Sequence, residues 1–338
     1  MNVSSIYPNE QSLIREIEEP VEVKCLYEFY MICSSQDDFP HMQLTERATR
    51  LTERVTLITD VNLPKWGITK IPRQISLISG LETLNLGFNG LTTLPEAIGK
   101  LSNLSRLILK YNRITTLPKA IGRLSNLIEL ELDHNRLTAL PRSIKGLSRL
   151  QVLVLSQNML TTLPESIGNL SCLKKLELDH NILLDLPESI GNFSCLKKLE
   201  LDHNILTDLP ESIGNLSRLQ WLSVQDNVLS KLPNSIGNLS SLQTLYLWDN
   251  MLSELPDSFG GLTKLDWLPL QDNHLETIPD SIGKLSGLTC LNLDNNNITT
   301  LPDSLATLRS LHTLSLKRHK LTFESVKVLR SRVNYLFD

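Results

Sequence analysis

Three Asp-His-Asn triplets are the residues in this sequence with the clearest potential for metal chemistry. They contain His134, His180 and His203, and the last two histidines are 23 residues apart. Imidazole and carboxylate groups at neighbouring positions can hold a divalent ion. However, each triplet occupies the same place in a longer repeated pattern, and repetition alone accounts for the spacing. We therefore predict neither a metal site nor a bound cofactor.

Sequence motifs that would indicate catalysis are missing. The chain has no GxxxxGK[ST] phosphate loop, no HExxH, no GxSxG and no CxxC pair. Its carboxylates fall in a pattern that predicts an open sheet surface, where burial would not shift their pKa values. We predict that the protein is not an enzyme and has no catalytic residues.

Composition and charge indicate which kinds of partner and which cellular compartment the sequence favours. A net charge of -4 and the absence of a long apolar run argue against nucleic-acid binding and membrane insertion. The first residues lack the features of a secretory signal. The five scattered cysteines suit a reducing compartment, so Cys172 and Cys195, at equivalent positions, are expected to be free thiols. We predict a cytoplasmic monomer; the alternative is export into a host cell without a cleavable signal.

A 23-residue repeat with the template LxxLxLxxNxLxxLPxxIGxLxx dominates the chain from about residue 58 to residue 320. In LxLxx, the alternation predicts a short strand whose two leucines point inward. The asparagine amide can satisfy backbone groups where the chain leaves the strand, and stacked repeats would align these amides in a ladder. In LPxxIGxL, proline fixes a turn, about one helical turn follows, and glycine ends it.

Stacking of these units predicts an α/β solenoid, because one repeat cannot bury its own apolar face. We expect a right-handed horseshoe with a parallel β-sheet on its concave side. Residues 1–57 are predicted to form an N-terminal helical cap, residues 58–320 about 11 repeats, and residues 321–338 a closing helix that includes Leu336. Trp66 replaces the ladder asparagine in the degenerate first unit and is interpreted as a structural plug.

The LPxxIGxL repeats resemble the leucine-rich-repeat family, and in particular its 23-residue intracellular class. This class includes Ras-group-related scaffolds and many bacterial proteins, some of them host-directed effectors. The resemblance implies the solenoid fold and binding to a partner, without naming the partner. A helical cap followed by LxxLP repeats also resembles the effector ubiquitin ligases of pathogenic bacteria. Their catalytic domain has no counterpart in this sequence, so ligase activity is not carried over.

Large aromatic side chains cluster on the predicted concave face. Trp221, Tyr246, Trp248 and Trp267 fall on three adjacent strands at positions that point away from the core. Exposed, rigid aromatic groups on a concave surface are typical of a binding hot spot. The alternative is that they merely stack on one another across the strands. Pro269 lies in the same region, at a mid-strand position where it cannot donate a backbone hydrogen bond.

Carboxylates line the same face in the middle repeats. They are Glu129, Glu131, Asp133, Glu177, Asp179, Glu200 and Asp202. Lys175 and Lys198 are expected to offset this charge only in part. A negative stripe beside the aromatic residues would favour a partner with a basic and apolar surface and would accelerate its encounter. The alternative is a solvated charged face.

These observations predict a protein–protein interaction module that binds a protein partner through its concave face, with a bacterial effector acting on a host protein as one form of it. Two alternatives stay open at this point. One is a substrate-recruiting component of a ubiquitin-ligase-like or signalling enzyme assembly. The other is a secreted or surface adhesion protein.

Overall fold

The computed structural model describes residues 58–317 and the backbone of residues 336–337. The predicted N-terminal helical cap, residues 1–57, lies outside the described residues. Short strands form one open parallel sheet in strictly sequential order, from β1 to β13. The strands are β1 Asp60–Asn62, β2 Thr83–Asn85, β3 Arg106–Ile108, β4 Glu129–Glu131, β5 Val152–Val154, β6 Lys175–Glu177, β7 Lys198–Glu200, β8 Trp221–Ser223, β9 Thr244–Tyr246, β10 Trp267–Pro269, β11 Cys290–Asn292, β12 Thr313–Ser315 and β13 Leu336–Phe337.

The register of the sheet places identical repeat positions side by side. Leu176 pairs with Leu199, and Leu199 with Leu222, so each central strand leucine stacks on its counterpart 23 residues away. These leucines are fully buried, and so are the leucines two positions later, such as Leu201. The two residues that flank each central leucine point to the opposite face of the sheet. The template therefore fixes which side chains each repeat presents to solvent.

The opposite side of each repeat is a short 3-10 helix preceded by proline. The prolines sit in an extended conformation, for example Pro187 with φ -68° and ψ 148°. Residues 58–317 contain no α-helix, which corrects the α/β expectation for the repeats themselves. Only five residues lie between the proline and the core residue that follows the helix, for example between Pro187 and Phe193, which is too few for a stable α-helix, and 3-10 geometry suits such short segments. The 3-10 helices are Arg73–Leu77, Glu96–Lys100, Lys119–Arg123, Arg142–Gly146, Glu165–Asn169, Glu188–Asn192, Glu211–Asn215, Asn234–Asn238, Asp257–Gly261, Asp280–Lys284 and Asp303–Thr307.

Neighbouring 3-10 helices approach each other closely at the glycine of the IGxL motif. A Cβ atom added to Gly191 would lie 2.4 Å from the backbone carbonyl oxygen of Ser212 in the next repeat. This distance is below any van der Waals contact, so a larger residue at Gly191 would push the two repeats apart. Within residues 58–317, no helix is long and apolar enough to cross a bilayer.

One buried asparagine per repeat links the strand side to the preceding repeat. Asn204 accepts a hydrogen bond from the N–H of Leu183 at 3.0 Å. Its amide group donates to the carbonyl oxygens of Leu178, Leu201 and Asp202 at 3.0, 2.9 and 3.1 Å. The same bonds recur at each equivalent residue from Asn89 to Asn296, and we call these residues the ladder asparagines. The predicted amide ladder is therefore present.

Two expectations about the ends of the solenoid need correction. The side chain of Trp66 is 44% exposed, so it does not plug the core. The backbone carbonyl of Leu63 in that first unit is instead bonded by the Asn89 amide at 2.9 Å. The predicted closing helix lies mostly outside the described residues, but Leu336 is in β13, parallel to β12. A last strand satisfies backbone groups that the edge of β12 would otherwise expose.

Removal of a ladder asparagine should be costly. We expect Asn204→Ala to lower the free energy of unfolding by about 2–4 kcal/mol, because it leaves the Leu183 N–H and three carbonyls without their amide partner in a buried site. Urea denaturation of both proteins measures this difference. Asn215→Ala, at an exposed position in the 3-10 helix, is the matched control and should change stability by less than about 0.5 kcal/mol. Equal effects of the two substitutions would contradict a structural role for the ladder.

Candidate binding surface

Three aromatic rings from adjacent strands touch one another on the exposed face of the sheet. The ring centroids of Trp221 and Tyr246 are 5.1 Å apart, and those of Tyr246 and Trp267 are 5.4 Å apart. Both pairs are tilted or edge-on, which is a favourable geometry for aromatic contact. Trp267 is 46% exposed, whereas Trp221 and Tyr246 are partly buried. We call these three residues the aromatic cluster.

Trp248, the fourth aromatic residue expected on this surface, is placed differently. It lies two residues beyond the end of β9 and is partly buried. Its backbone carbonyl accepts a hydrogen bond from the N–H of Asp226 at 3.1 Å. Among the aromatic contacts of residues 58–317, its ring makes none with the cluster. The structure therefore joins three of the four residues into one surface.

Pro269 loosens the sheet beside the aromatic cluster. Strands β9 and β10 pair at a single position, Trp267 with Thr244, whereas the other neighbouring pairs from β1 to β12 align three residues each. The bond from the Leu247 N–H to the Pro269 carbonyl is 3.3 Å long, against 2.8 Å for the equivalent bond from Leu270 to Asn292. Proline has no N–H to give to the ladder, and the pairing is lost where that N–H would act.

Two buried polar atoms near the cluster lack a hydrogen-bond partner within the described residues. They are the indole Nε1 of Trp221 and the side-chain oxygen Oε1 of Gln271. A buried donor or acceptor left unpaired costs about 1–3 kcal/mol. Sequence reasoning missed both, because the repeat template does not reveal which side-chain atoms its neighbours will cover.

The glutamates of the acidic stripe are paired with basic residues. Glu129 lies 2.7 Å from Arg106, and Glu131 lies 2.8 Å from Lys110. Arg106 and Lys110 therefore offset these two glutamates, in addition to the partial offset that was expected from Lys175 and Lys198. Long basic side chains reach carboxylates on their own or the adjacent strand, which single positions in a sequence do not show.

The middle of the stripe has the same pairing but is more crowded. Lys198 lies 2.7 Å from Glu200 and 3.5 Å from Glu177, and Lys175 lies 2.6 Å from Glu177. The ammonium group of Lys198 also lies 5.5 Å from the centroid of the Trp221 ring. Such a contact adds a cation–π attraction. The acidic stripe and the aromatic cluster are therefore physically continuous.

Comparisons with known proteins agree with this repeat architecture. Models described as leucine-rich repeat region match residues 98–184, 173–251 and 209–271, and related leucine-rich-repeat models match residues 80–101 and 268–321. The chain is a member of the leucine-rich-repeat family. No curated protein matches it closely.

Several solved leucine-rich-repeat structures are similar to this chain. An LRR protein of Leptospira interrogans is 31% identical with a TM-score of 0.55, over 87% of this chain and 86% of that one. A TDR receptor is 29% identical with a TM-score of 0.71, over 81% of this chain and 50% of that one. This chain thus spans about half the length of that receptor. An internalin of Listeria monocytogenes, 24% identical over 85% of this chain and 89% of that one, has a TM-score of 0.62 and shares the fold.

Two aspartates of the stripe also have hydrogen-bond partners within the sheet surface. Asp133 lies 3.1 Å from His134, and Asp179 lies 3.1 Å from His180 and accepts a bond from the Ser156 hydroxyl. The imidazoles are thus engaged with neighbouring carboxylates. No group of three metal-ligating side chains occurs in residues 58–317.

Burial shifts two carboxyl groups on this face, contrary to the sequence-based expectation. Desolvation raises the pKa of Asp202, although the Ser223 hydroxyl and the Gln225 N–H oppose the shift. Desolvation also raises the pKa of Glu200, with a further contribution from the neighbouring Glu177, while Lys198 lowers it. Long side chains in adjacent repeats cover these carboxyls more than an isolated strand would.

A second column of side chains, several of them rings, lies at the turn of each repeat, at the residue that precedes the ladder asparagine. Phe88 stacks on Tyr111 with 4.3 Å between centroids, and Tyr111 on His134 with 3.9 Å. All residues of this left-handed column have a positive φ, which is uncommon outside glycine. They are Lys65, Phe88, Tyr111, His134, Gln157, His180, His203, Asp226, Asp249, Asp272 and Asn295. The fixed 23-residue spacing was the signal that could have revealed these stacks.

The raised pKa of Asp202 gives a pH-dependent prediction. Since the folded-state pKa lies above the unfolded value of 3.8, folded-state stability falls as pH rises through the interval between them. Asp202→Asn removes the buried charge and keeps an acceptor for the Gln225 N–H. We expect this variant to be more stable than the native chain at neutral pH, with the difference vanishing below the unfolded value.

Urea denaturation between about pH 3 and pH 8 tests this expectation. Asp208→Asn, at an exposed position, is the control and should show no such pH-dependent difference. A constant difference between the Asp202→Asn variant and the native chain at every pH would contradict the account.

Proposed function

We propose that this leucine-rich-repeat chain is a protein-binding module that holds its partner against the exposed, concave face of the sheet. The observation that carries the proposal is the contact chain of Trp221, Tyr246 and Trp267. The repeat template requires no large aromatic residue at these positions. Rigid aromatic groups on a concave face contribute much binding energy and lose little side-chain entropy.

The backbone beside the aromatic cluster favours a protein segment as the occupant. The loosened pairing beside Pro269 leaves strand β9 with fewer bonds to its neighbour at the same place.

Charge favours a basic partner near the cluster. Residues 151–317 contain nineteen Asp and Glu residues against ten Lys and Arg residues. Lys175 and Lys198 form ion pairs with Glu177 and Glu200 and so reduce their negative potential. Asp202 and the aspartates that follow the strands, Asp226, Asp249 and Asp272, form no ion pair with these lysines. An opposite charge on the partner would increase the association rate, and salt would lower it.

Site-specific photo-crosslinking tests the proposal. A benzoylphenylalanine placed at Tyr246 in the full chain should cross-link the partner in lysates of cells that express the chain. The same group at Leu77, an exposed position on the opposite side of the solenoid, is the matched control and should give no such product.

The partner identified in this way then allows a quantitative test. Trp221→Ala and Trp267→Ala should each raise the Kd for the purified partner by about 30-fold, which corresponds to ~2 kcal/mol. Thermal stability should change little for Trp267→Ala, because that ring is the most exposed of the three. Unchanged affinity in both variants, or equal cross-linking from Leu77, would contradict the proposal.

A further inference from the structure

The residue that follows each ladder asparagine from Asn112 onward forms a second continuous surface, on the flank of the solenoid. We call it the flank column, and in order it contains Arg113, Arg136, Met159, Ile182, Ile205, Val228, Met251, His274 and Asn297. Met159, Ile182, Ile205 and Met251 are 44–50% exposed, and Leu184 beside them is 51% exposed. Together with the partly buried Val228, these residues form an apolar strip on the surface of five successive repeats. Contiguous apolar strips of this kind on a soluble protein mark interaction surfaces.

The two ends of the strip carry opposite charge. Arg113 and Arg136 are exposed and make no ion pair with any residue of 58–317. The other end is an open groove of about 620 Å³ whose lining includes Asp249, Asp272, Met251 and His274. The charge balance of the chain follows the same direction. Residues 58–150 contain thirteen Lys and Arg against six Asp and Glu residues, the reverse of residues 151–317.

The residues of the flank column are chemically similar at equal distances on either side of Ile205. One repeat away on either side are Ile182 and Val228, and two repeats away are Met159 and Met251. Three repeats away, Arg136 stands on one side, and His274 in the acidic groove stands on the other. A surface that is self-complementary when turned end over end is the requirement for a two-fold interface.

We propose that the flank column binds a second copy of this chain, with the two copies antiparallel and the two-fold axis near Ile205. The apolar strips would face each other, and Arg136 of each copy would enter the groove formed by Asp249 and Asp272 of the other. Eight positions from Arg113 to His274 span about 34 Å at ~4.8 Å per strand. A contact of this length reaches the ~800 Å² per copy of a standard interface if it is about 24 Å wide, so residues beside the flank column, such as Leu184, would also be covered. The sequence alone predicted a monomer.

This arrangement does not use the aromatic cluster, so it adds to the proposed function and does not depend on it. Residues of the left-handed column separate the flank column from the exposed sheet face along the chain. A dimer of this kind would present two binding faces in one assembly, which strengthens attachment to a partner with repeated sites.

Sedimentation velocity of the full chain tests directly whether a second copy binds. We expect a reversible dimer between about 1 and 100 µM that weakens as salt rises from ~50 to ~500 mM. Ile205→Glu places two like charges at the axis and should raise the dimer Kd by at least about 100-fold. Ile128→Glu is the matched control, because Ile128 is equally an exposed isoleucine but lies away from the flank column. Its dimer Kd should equal that of the native chain.

A charge exchange provides a second variant that does not alter the apolar strip. Arg136→Glu alone should raise the Kd by about 10-fold, and Asp272→Arg added in the same chain should restore it. A basic residue fits at this backbone position, since Lys65 has a similar φ of 65° against 57° for Asp272. A native chain that stays monomeric at about 100 µM, an Ile205→Glu variant that dimerises normally, or a double variant without recovery would each overturn the proposal. The strip would then belong to a different protein partner.

Discussion

The buried asparagine side chains join each repeat to the one before it, and the regularity of the solenoid depends on them. Asn204 bonds one N–H and three carbonyls that belong to two repeats. These backbone groups lie where the chain leaves the strand, and of the four only the Asp202 carbonyl has a backbone partner as well, the N–H of His180. An apolar residue there would leave several buried polar groups unpaired, at a cost comparable to a large part of the stability of a typical domain. Leucine burial drives the stacking, but it is not directional; the asparagines fix the offset between repeats at 23 residues.

Because the offset between repeats is fixed, equivalent residues of successive repeats line up in columns along the solenoid. Residues 23 positions apart become neighbours, so any property that recurs at this spacing becomes a continuous surface. Side chains in adjacent columns can also touch, as the rings of Trp221 and Tyr246 do. The exposed sheet face, the left-handed column and the flank column are three such surfaces on one scaffold. Most of their side chains lie outside the leucine core, so these surfaces can vary in chemistry more freely than the core can.

The sequence was sufficient to predict what depends on the repeat itself. The strand positions, the leucine core, the amide ladder and the placement of Trp221, Tyr246 and Trp267 on one face follow from the template and from alternation. Contacts that depend on how far a long side chain extends could not be predicted. Lys198 is one position in the sequence, yet in the structure it contacts Glu200, Glu177 and the Trp221 ring.

Other features were missed because the template gives no information on them. The 3-10 form of the turns follows from the short segment after each proline, and the pairing of β13 with the edge of β12 is a feature of the last strand, outside the repeat. The effect of Pro269 was foreseen as a missing donor, but its extent, a β9–β10 pairing reduced to one position, required the structure. The role of these surfaces in binding stays a prediction.

The claim that the asparagine ladder holds the repeats in register is tested most directly by native-state hydrogen exchange. The N–H groups of Leu183, Leu206 and Leu229 each donate to a ladder asparagine of the next repeat at 3.0–3.1 Å. The account predicts that these amides exchange as slowly as the strand amides of Leu199 and Leu222, because both require the repeats to separate. Exchange of the ladder-bonded amides at the rate of an unprotected backbone, while the strand amides stay protected, would contradict it.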